Sequence, residues 1–355
     1  MNVCKKWTLW VLVITAVLMA LLAGATVLID PYFHYGAPIN GLSYELSNQR
    51  YQNDGIIKHF SYDAMITGSS MTENFKTSQL DSLFDVQSIK VTYSGGSWKE
   101  INDCVALAVK SNPDLKLVVR GLDYGRLLED KDTMRYAPSE YPTYLYDDVF
   151  YNDVHYLLNK EVFLNGTVEN LLRTWKGGAP TSFDAYSNWN HLYSFGKDAV
   201  LADYVRPETL QPMQEMTDFT KLEAHVEQNI LKLAQENPQI NFYLFLTPYS
   251  IVYWDYVNQT GEIGKLLQAE QHLIEMLIPY ENIHLFSFLD ATDITCDLNN
   301  YKDIAHYSEE INSYILQAMS TGKHRLTQEN YRAYCDFVRD FYTAYDYDSL
   351  FSSQP

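Results

Sequence analysis

The chain of 355 residues is poor in cysteine and in basic residues, and each scarcity excludes a class of protein. Its four cysteines are widely spaced, and neither a Cys-x-x-Cys pair nor a cluster of histidines is present. We therefore expect no disulfide framework, no zinc site and no cofactor. Lysine and arginine total 26 against 45 acidic residues. Nucleic-acid binding depends on basic groups that neutralise phosphates, so this composition argues against it.

Charge is also absent from residues 7–29, a run of 23 residues. A helix of that length is sufficient to cross a hydrocarbon core of ~30 Å at ~1.5 Å per residue. Lys5 and Lys6 precede the run, and Asp30 follows it. The positive-inside rule therefore predicts a cytoplasmic N-terminus at 1–6, one transmembrane anchor, and all later residues outside the membrane.

A cleaved signal peptide is the alternative interpretation of the same run. The small residues 23–25 would then form the cleavage site. Secretory apolar regions usually extend over only ~7–15 residues, and cleavage would leave an apolar chain end. A retained anchor is the interpretation that we adopt.

Five short apolar runs after the anchor have the pattern of strands buried on both faces. They are residues 64–67, 89–93, 115–119, 242–246 and 283–288. Helical patterns lie between or after them at 98–110, 222–235, 263–277, 308–319 and 328–342. This alternation predicts an α/β fold, a flavodoxin-like three-layer sandwich of about five parallel strands. A connector at 30–60 would lead into this domain at 61–355.

One connection is much longer than a crossover helix requires, and it predicts an insertion at about 124–240. It is rich in aromatic residues, which are Tyr136, Tyr141, Tyr144, Tyr146, Tyr151, Tyr156, Trp175 and Trp189. These side chains could form a satellite core of a helical insertion. The alternative is a lid that shapes a substrate site, because tyrosine combines an apolar face with a hydroxyl.

Ser70 lies where the first predicted strand turns into the next element, at Gly68-Ser69-Ser70. The carboxyl edge of an open α/β sheet is where ligands bind, and a helix amino end offers free N–H groups to an anion. A serine hydroxyl there can act as a nucleophile if a base takes its proton. The alternative is structural: residues 70–73 read Ser-x-x-Glu, a capping box that would begin a helix.

His306 is the candidate base for Ser70, although 236 positions separate them. Among nine histidines, it is the one with an aspartate three positions earlier, Asp303. It follows the fifth predicted strand, which brings it to the same edge of the sheet as Ser70. Ser70, His306 and Asp303 thus supply the nucleophile, the base and the orienting carboxylate of a serine triad.

These motifs, in this order, resemble those of the SGNH/GDSL hydrolase superfamily. Its blocks one, two, three and five correspond to Gly68-Ser69-Ser70, Ser94-Gly95-Gly96, Gly121-Leu122-Asp123 and Asp303-x-x-His306. The resemblance covers residues 60–315 apart from the insertion. Together with the anchor, it is similar to the membrane-anchored subset that includes the D-alanyl transfer protein of teichoic acid modification and the alginate O-acetylation proteins.

The resemblance implies a role for each of these residues. Ser70 would be the nucleophile, His306 the general base and Asp303 its orienting group. The backbone N–H of Ser70 and that of Gly95 or Gly96 would form the oxyanion hole, in which each donor contributes ~3–4 kcal/mol.

Two positions depart from the family pattern. Ser69 replaces the aspartate of the first block, and Asp123 replaces an asparagine that usually donates to the oxyanion. An ionised carboxylate would repel that charge. We therefore expect Asp123 to be protonated, to point elsewhere, or to contact a hydroxyl of the substrate.

The predicted function is that of a bacterial, membrane-anchored, extracytoplasmic acyl-ester hydrolase or O-acyltransferase that works through acyl-Ser70. The expected substrate is a cell-envelope glycopolymer, a teichoic-type polymer, or a small acylated molecule. The alternative is a non-catalytic surface or assembly protein of the same fold that partners a multispanning membrane acyltransferase. A separation of Ser70 and His306 by more than ~7 Å would favour this alternative, because a base must reach its nucleophile.

Overall fold

The computed structural model describes residues 3–351. The chain divides into two compact units. The anchor unit contains the residues up to Ser61 together with Tyr136–Ser182, and the sheet unit contains Tyr62–Arg135 and the residues from Phe183 onward. The ends of the predicted N-terminal segment 1–6 and of the predicted domain 61–355 lie partly outside the described residues, at 1, 2 and 352–355.

A five-stranded parallel sheet with strand order 2-1-3-4-5 forms the centre of the sheet unit. Its strands are β1 (Ala64–Thr67), β2 (Ser88–Lys90), β3 (Leu117–Leu122), β4 (Asn241–Leu246) and β5 (Ile283–Ser287). The register pairs Ile66 with Val119, and Val119 with Tyr243. Every residue of β1, β2 and β3 is buried, because helices cover both faces of such a sheet. The predicted flavodoxin-like α/β architecture is confirmed.

The α-helices are numbered along the whole chain. Those of the anchor unit are α1 (Val3–Ile29), α2 (Gln49–His59), α5 (Val154–Leu157) and α6 (Glu169–Trp175). Those of the sheet unit are α3 (Thr77–Phe84), α4 (Trp98–Ser111), α7 (Lys197–Ala202), α8 (Thr220–Val226), α9 (Lys232–Glu236), α10 (Ile251–Gln259), α11 (Ile263–Leu277), α12 (Thr292–Thr295), α13 (Glu309–Thr321) and α14 (Tyr331–Ala344).

Sequence pattern explains where these helices begin and what they bury. The helix α4 begins after Ser97, whose hydroxyl accepts the N–H of Glu100 at 3.1 Å. Its buried residues Trp98, Ile101 and Val105 recur at helical spacing and face the sheet unit's core. The predicted helix at 222–235 is realised as α8 and α9, which a π-helical turn joins at Glu227–Leu231.

Among the described residues of the anchor unit, one helix, α1, is long and apolar enough to cross a membrane. Part of the predicted tyrosine-rich insertion belongs to this unit and forms a small core, with Leu145, Tyr156 and Val162 buried together. Tyr32, Tyr51, Tyr144 and Leu157 pack against that core. Tyr156 and Tyr144 therefore support a satellite core, as one interpretation expects, whereas Tyr151 and Trp175 of the same part are exposed.

Candidate active site

Ser70 lies in the turn that follows β1. Gly68 begins this turn with φ +146°, and a Cβ on it would lie 2.6 Å from the Thr72 side chain, so only glycine fits. Ser69 is the N-cap of the short 3-10 helix that begins at Ser70, because its hydroxyl accepts a backbone N–H at 3.3 Å. Ser69 therefore fills the capping role that was the structural alternative for Ser70.

The helix expected directly after Ser70 is a single 3-10 turn, and α3 begins only at Thr77. The buried ammonium of Lys90 explains this break. It donates to the carbonyl of Glu73 at 2.5 Å and to that of Phe75 at 2.9 Å, so these carbonyls point toward β2. The backbone N–H groups near Ser70 are therefore those of a turn rather than of a long helix.

Ser70, His306 and Asp303 form one hydrogen-bonded chain. Ser70 Oγ lies 2.8 Å from His306 Nε2, and His306 Nδ1 lies 2.8 Å from Asp303 Oδ2. Because Nδ1 donates its proton to the carboxylate, Nε2 is left to accept the hydroxyl proton of Ser70. The structure brings together the three residues that the sequence singles out as a triad.

Donors on its own loop and on Lys302 hold Asp303. Its Oδ1 accepts the N–H groups of Ala305 at 2.9 Å and His306 at 2.8 Å, and Lys302 Nζ lies 3.1 Å from Oδ2. Burial opposes ionisation, but the hydrogen bonds from the His306 ring and backbone outweigh it. They hold the pKa of Asp303 well below its usual range. Asp303 is therefore ionised at neutral pH, the state that orients an imidazole.

The segment between β5 and α13 reaches back across the sheet to bring His306 to Ser70. Ser250 fixes this segment by donating its N–H and its hydroxyl to the carbonyl of Ile304, at 3.1 and 2.7 Å. The Tyr301 hydroxyl donates to the carbonyl of Pro248 at 2.7 Å. Both contacts join the segment to the chain just after β4, at the carboxyl edge of the sheet.

Trp189 borders the triad and is not among the site residues predicted from sequence. Its indole N–H donates to the carbonyl of Ser70 at 3.2 Å, and its ring meets the His306 imidazole edge-on, with centroids 5.6 Å apart. Lys302 Nζ lies 5.0 Å from the centre of the Trp189 ring and 4.1 Å from that of Tyr193. The only signal for Trp189 in the sequence is the aromatic content of the long connection.

The two glycines predicted as alternative oxyanion donors differ in the structure. The N–H of Gly96 donates to the carbonyl of Tyr93 at 2.7 Å, so it is already used within the turn. Gly95 has φ +62°, which glycine adopts without strain. Its N–H, with that of Ser70, is the better candidate for binding an oxyanion.

Asp123 is buried directly after β3. Its Oδ1 accepts the Tyr249 hydroxyl at 3.3 Å, and Ser69 lies within hydrogen-bonding reach. Burial raises the pKa of Asp123, and hydrogen bonds from Ser69 and Tyr249 and the charge of Arg126 reduce that rise without reversing it. Of the three expected outcomes, the structure therefore favours a carboxyl group that binds its proton more firmly than usual.

The donors assembled here are a hydroxyl, an imidazole, carboxyl groups and turn amides, a set suited to proton transfer and nucleophilic attack. Within residues 3–351, no group of three or more His, Cys, Asp or Glu side chains is arranged to hold a metal ion.

No protein-family model and no curated protein matches the chain. Among solved structures, the chain is similar to a Streptococcus pneumonia protein provisionally described as a platelet activating factor. The TM-score is 0.36 and the identity 13%, with 77% of this chain and 89% of the other covered. A likeness this distant carries no information about chemistry.

Proposed function

We propose that the chain is a membrane-anchored serine enzyme that transfers an acyl group through Ser70. The observation that carries this proposal is the continuous chain from Ser70 Oγ through the His306 ring to Asp303, with both hydrogen bonds 2.8 Å long. A serine hydroxyl is a weak nucleophile until a base removes its proton, and this arrangement supplies the base in its accepting tautomer.

In the proposed reaction, Ser70 Oγ attacks the carbonyl carbon of an ester while its proton passes to His306 Nε2. The tetrahedral intermediate collapses as His306 returns that proton to the departing alkoxide oxygen, which leaves as an alcohol. Water or a hydroxyl acceptor then gives its proton to His306 and attacks the acyl-Ser70 ester. His306 returns this proton to Ser70 Oγ as the bond between Oγ and the acyl carbon breaks, which releases the carboxylic acid or the new ester and restores the serine. Asp303 remains ionised throughout and stabilises the imidazolium.

The negative oxygen of the intermediate would accept the N–H groups of Ser70 and Gly95. A protonated Asp123 would add a hydroxyl donor at the position where the resembling family has an asparagine. Carboxylic acids that are kept neutral by burial can serve as oxyanion donors in this way. This assignment removes the repulsion that an ionised Asp123 would cause.

We infer that α1 stays attached as an anchor. Its last turns are packed, since Thr26 and Ile29 are buried and the Ile29 carbonyl accepts the Tyr44 hydroxyl at 2.7 Å. Cleavage after residue 25 would separate the apolar helix from the residues that hold its end. With Lys5 and Lys6 in the cytoplasm, the sheet unit would lie outside the membrane.

The proposed substrate is an acyl ester on a cell-envelope glycopolymer, or a small acylated donor for such a polymer. This proposal rests on the anchoring and on the family that the motifs resemble. The aromatic pair Trp189 and Tyr193 beside the triad offers apolar ring surface of the kind that contacts sugars and acyl groups.

A fluorophosphonate probe tests the nucleophile directly, because it reacts with activated serines. The full-length protein in detergent should be labelled, and mass spectrometry should locate the adduct on Ser70. Labelling should disappear in Ser70→Ala and His306→Ala. The matched control is His324→Ala, since His324 also pairs with an aspartate, Asp290, at 2.8 Å but does not face Ser70. Equal labelling of all variants would reject the proposal.

A second assay separates hydrolase from transferase. The purified protein would be given p-nitrophenyl acetate with and without polyol or glycopolymer acceptors. A transferase should release p-nitrophenol faster with an acceptor and move the acetyl group onto it, whereas a hydrolase should release acetate at an unchanged rate.

The non-catalytic alternative predicts neither labelling nor turnover. Its favoured geometry is a long separation of Ser70 and His306, and the 2.8 Å between Ser70 Oγ and His306 Nε2 supports the enzyme instead. A multispanning acyltransferase as a partner remains compatible with either function, and co-purification with and without the native α1 would test it.

A further inference from the structure

The anchor unit exposes a set of apolar side chains close to the end of α1. They lie on a segment consisting of α5, a π-helix at Val162–Val168, and α6, with two aromatic residues just before it. We name this set the collar, and it comprises Phe150, Tyr151, Leu158, Leu164, Leu171 and Trp175. Phe150, Tyr151 and Trp175 are 81%, 84% and 82% exposed, which water does not favour for such large rings.

The collar is the free face of a segment whose opposite face is packed. Val162, Gly166 and Asn170 of this segment are buried, whereas Leu164, Leu171 and Trp175 are exposed. Exposed large apolar side chains mark a further contact surface, so the segment has two partners. The interior of the anchor unit is one of them.

The position of the segment along α1 identifies the second partner. Both α5 and the π-helix contact α1, and the buried residues of α1 are Thr26 and Ile29, in its last two turns. A Cβ on Gly166 would lie 2.8 Å from the Pro31 ring, so the π-helix also touches the chain directly after α1. The segment is therefore fixed at the outer end of the anchor.

Hydrogen bonds reinforce that position. The Tyr156 hydroxyl of α5 donates to Asp30 Oδ1 at 2.8 Å and accepts the N–H of Tyr32 at 3.2 Å. Asp153, at the start of α5, accepts the Tyr35 hydroxyl at 2.9 Å. The segment cannot move away from the end of α1 without breaking these bonds.

The depth of this position follows from the length of the anchor. The uncharged run 7–29 extends over ~34 Å at ~1.5 Å per residue, against a hydrocarbon core of ~30 Å. Elements packed on Thr26, Ile29 and Pro31 therefore lie where acyl chains meet headgroups. A segment beside the anchor at that depth has lipid on its free side, and exposed tryptophan and tyrosine are typical of that layer.

We infer that the collar is embedded in the outer interface of the lipid bilayer, as an amphipathic segment that lies in the membrane plane beside the anchor. This inference rests on the anchoring proposed above. Between residues 150 and 175 the acidic side chains are Asp153, Glu161 and Glu169, and the basic ones are Lys160 and Arg173. The contact is therefore apolar and aromatic and needs no anionic lipid.

Quenching by brominated lipids tests the inference on the full-length chain. The protein would be placed in phosphatidylcholine nanodiscs with or without bromine on the acyl chains, and tryptophan emission measured. Comparison of wild type with Trp175→Phe isolates the emission of Trp175. Trp7→Phe gives the reference for a tryptophan at the other boundary of the anchor, and Trp189→Phe gives the reference for one beside the triad.

We expect the Trp175 emission to be quenched as strongly as that of Trp7 and far more than that of Trp189. Quenching of Trp7 without quenching of Trp175 would overturn the collar and leave the anchor intact. Absence of quenching for Trp7 would reject the anchor itself, and with it this inference.

Two further experiments identify what contacts the collar. Adding phosphatidylglycerol should leave Trp175 quenching unchanged, and quenching that appears only with this lipid would overturn an apolar contact. Each nanodisc should contain one chain. Two chains per disc with Trp175 shielded from brominated lipid would assign the collar to protein contact and reject the lipid contact.

Discussion

Among the described residues of the sheet unit, two carboxylate–imidazole–hydroxyl chains occur, and they differ in the residue that supplies the hydroxyl. In one, Asp303 holds His306, whose Nε2 faces the Ser70 hydroxyl at 2.8 Å. In the other, Asp290 lies 2.8 Å from His324 Nδ1, and the Tyr314 hydroxyl lies 2.7 Å from His324 Nε2. The distances are almost the same, so the hydrogen bonds alone do not distinguish a catalytic centre from a structural contact.

Under the proposed function, the surroundings of the hydroxyl make the difference. Ser70 follows a strand at the ligand-binding edge of the sheet, with turn amides beside it. Tyr314 is part of α13, and Lys323 covers its ring at 5.1 Å from the centroid. An Asp–His pair orients an imidazole anywhere in a protein. It becomes catalytic only where a nucleophile and oxyanion donors converge on one reacting atom.

The largest expected effect is the loss of activity in Asp303→Asn, for which Asp290→Asn is the matched control. Asp303→Asn should lower kcat/KM for p-nitrophenyl acetate by ~10⁴-fold, because an amide would hold the imidazole in the wrong tautomer. Asp290→Asn should leave kcat/KM within about twofold, because that chain does not reach substrate. Steady-state kinetics on both variants checks this, and equal losses would break the comparison.

A third carboxyl group, Glu270, accepts hydrogen bonds from tyrosine hydroxyls instead of an imidazole. It therefore provides a further comparison with Asp303 and Asp290. It accepts Tyr124 at 2.8 Å and Tyr334 at 2.7 Å, and burial raises its pKa to about 7. The folded state therefore binds its proton more tightly than the unfolded state. Its stabilising contribution is complete at acid pH and is lost as pH rises from ~4.5 through ~7, by up to ~3 kcal/mol.

Glu270→Gln should abolish that slope, because glutamine does not titrate. Urea unfolding at pH 4.5 and pH 8 measures it in wild type and variant. Glu275→Gln is the control, since this residue is exposed on the same helix and should retain the wild-type slope. An unchanged slope in Glu270→Gln would show that Glu270 is ionised in the folded protein.

Asp123→Asn tests whether the carboxyl group at the end of β3 belongs to the catalytic set. Burial raises the pKa of Asp123, so its protonated form persists to higher pH and is lost as pH rises through that pKa. The wild-type rate should therefore fall as pH rises through that pKa, and above it the variant, which keeps an N–H donor, should be roughly tenfold faster. A pH–rate profile over the range in which the protein stays folded measures this, and Asp123→Ala should be slow at every pH.

The smallest effect on activity is expected from changing the chain of Asp290, His324 and Tyr314. Tyr314→Phe removes one partly buried hydrogen bond and should lower the free energy of unfolding by ~1 kcal/mol. It should leave kcat/KM unchanged, the reverse of the pattern for Ser70→Ala. Thermal unfolding and steady-state kinetics provide the two measurements. A loss of activity in Tyr314→Phe would mean that the chain of Asp290, His324 and Tyr314 is coupled to the site at Ser70.

Local patterns made the sheet and the triad predictable from sequence. Buried parallel strands appear as short apolar runs, and the five runs became five strands. The second run was predicted to 93 and ends as a strand at Lys90, yet the N–H groups of Val91 and Tyr93 still donate to β1 and the turn after it. The Asp303-x-x-His306 offset is informative because one carboxylate oxygen accepts the N–H groups two and three residues later.

Contacts between distant residues that no local motif marks were not predictable in this way. Asp290 and His324 are 34 positions apart, so no local motif marks them. Trp189 reaches Ser70 only because the long connection returns to the sheet unit after Tyr136–Ser182. Tertiary packing decides which aromatic residues of that connection support the small core and which border the triad. The composition of the connection is the same around both sets of residues, so it does not separate them.

The separation of Ser70 and His306 along the chain has a consequence for biosynthesis. The proposed nucleophile follows the first strand along the chain and its proposed base follows the last, so the hydroxyl would be activated only after the sheet has brought the two residues together. Contacts between such distant residues form late in folding. In the proposed topology, a chain crossing the membrane would be chemically inert during synthesis and translocation. The enzyme would acquire its reactivity only on the side where its substrate lies.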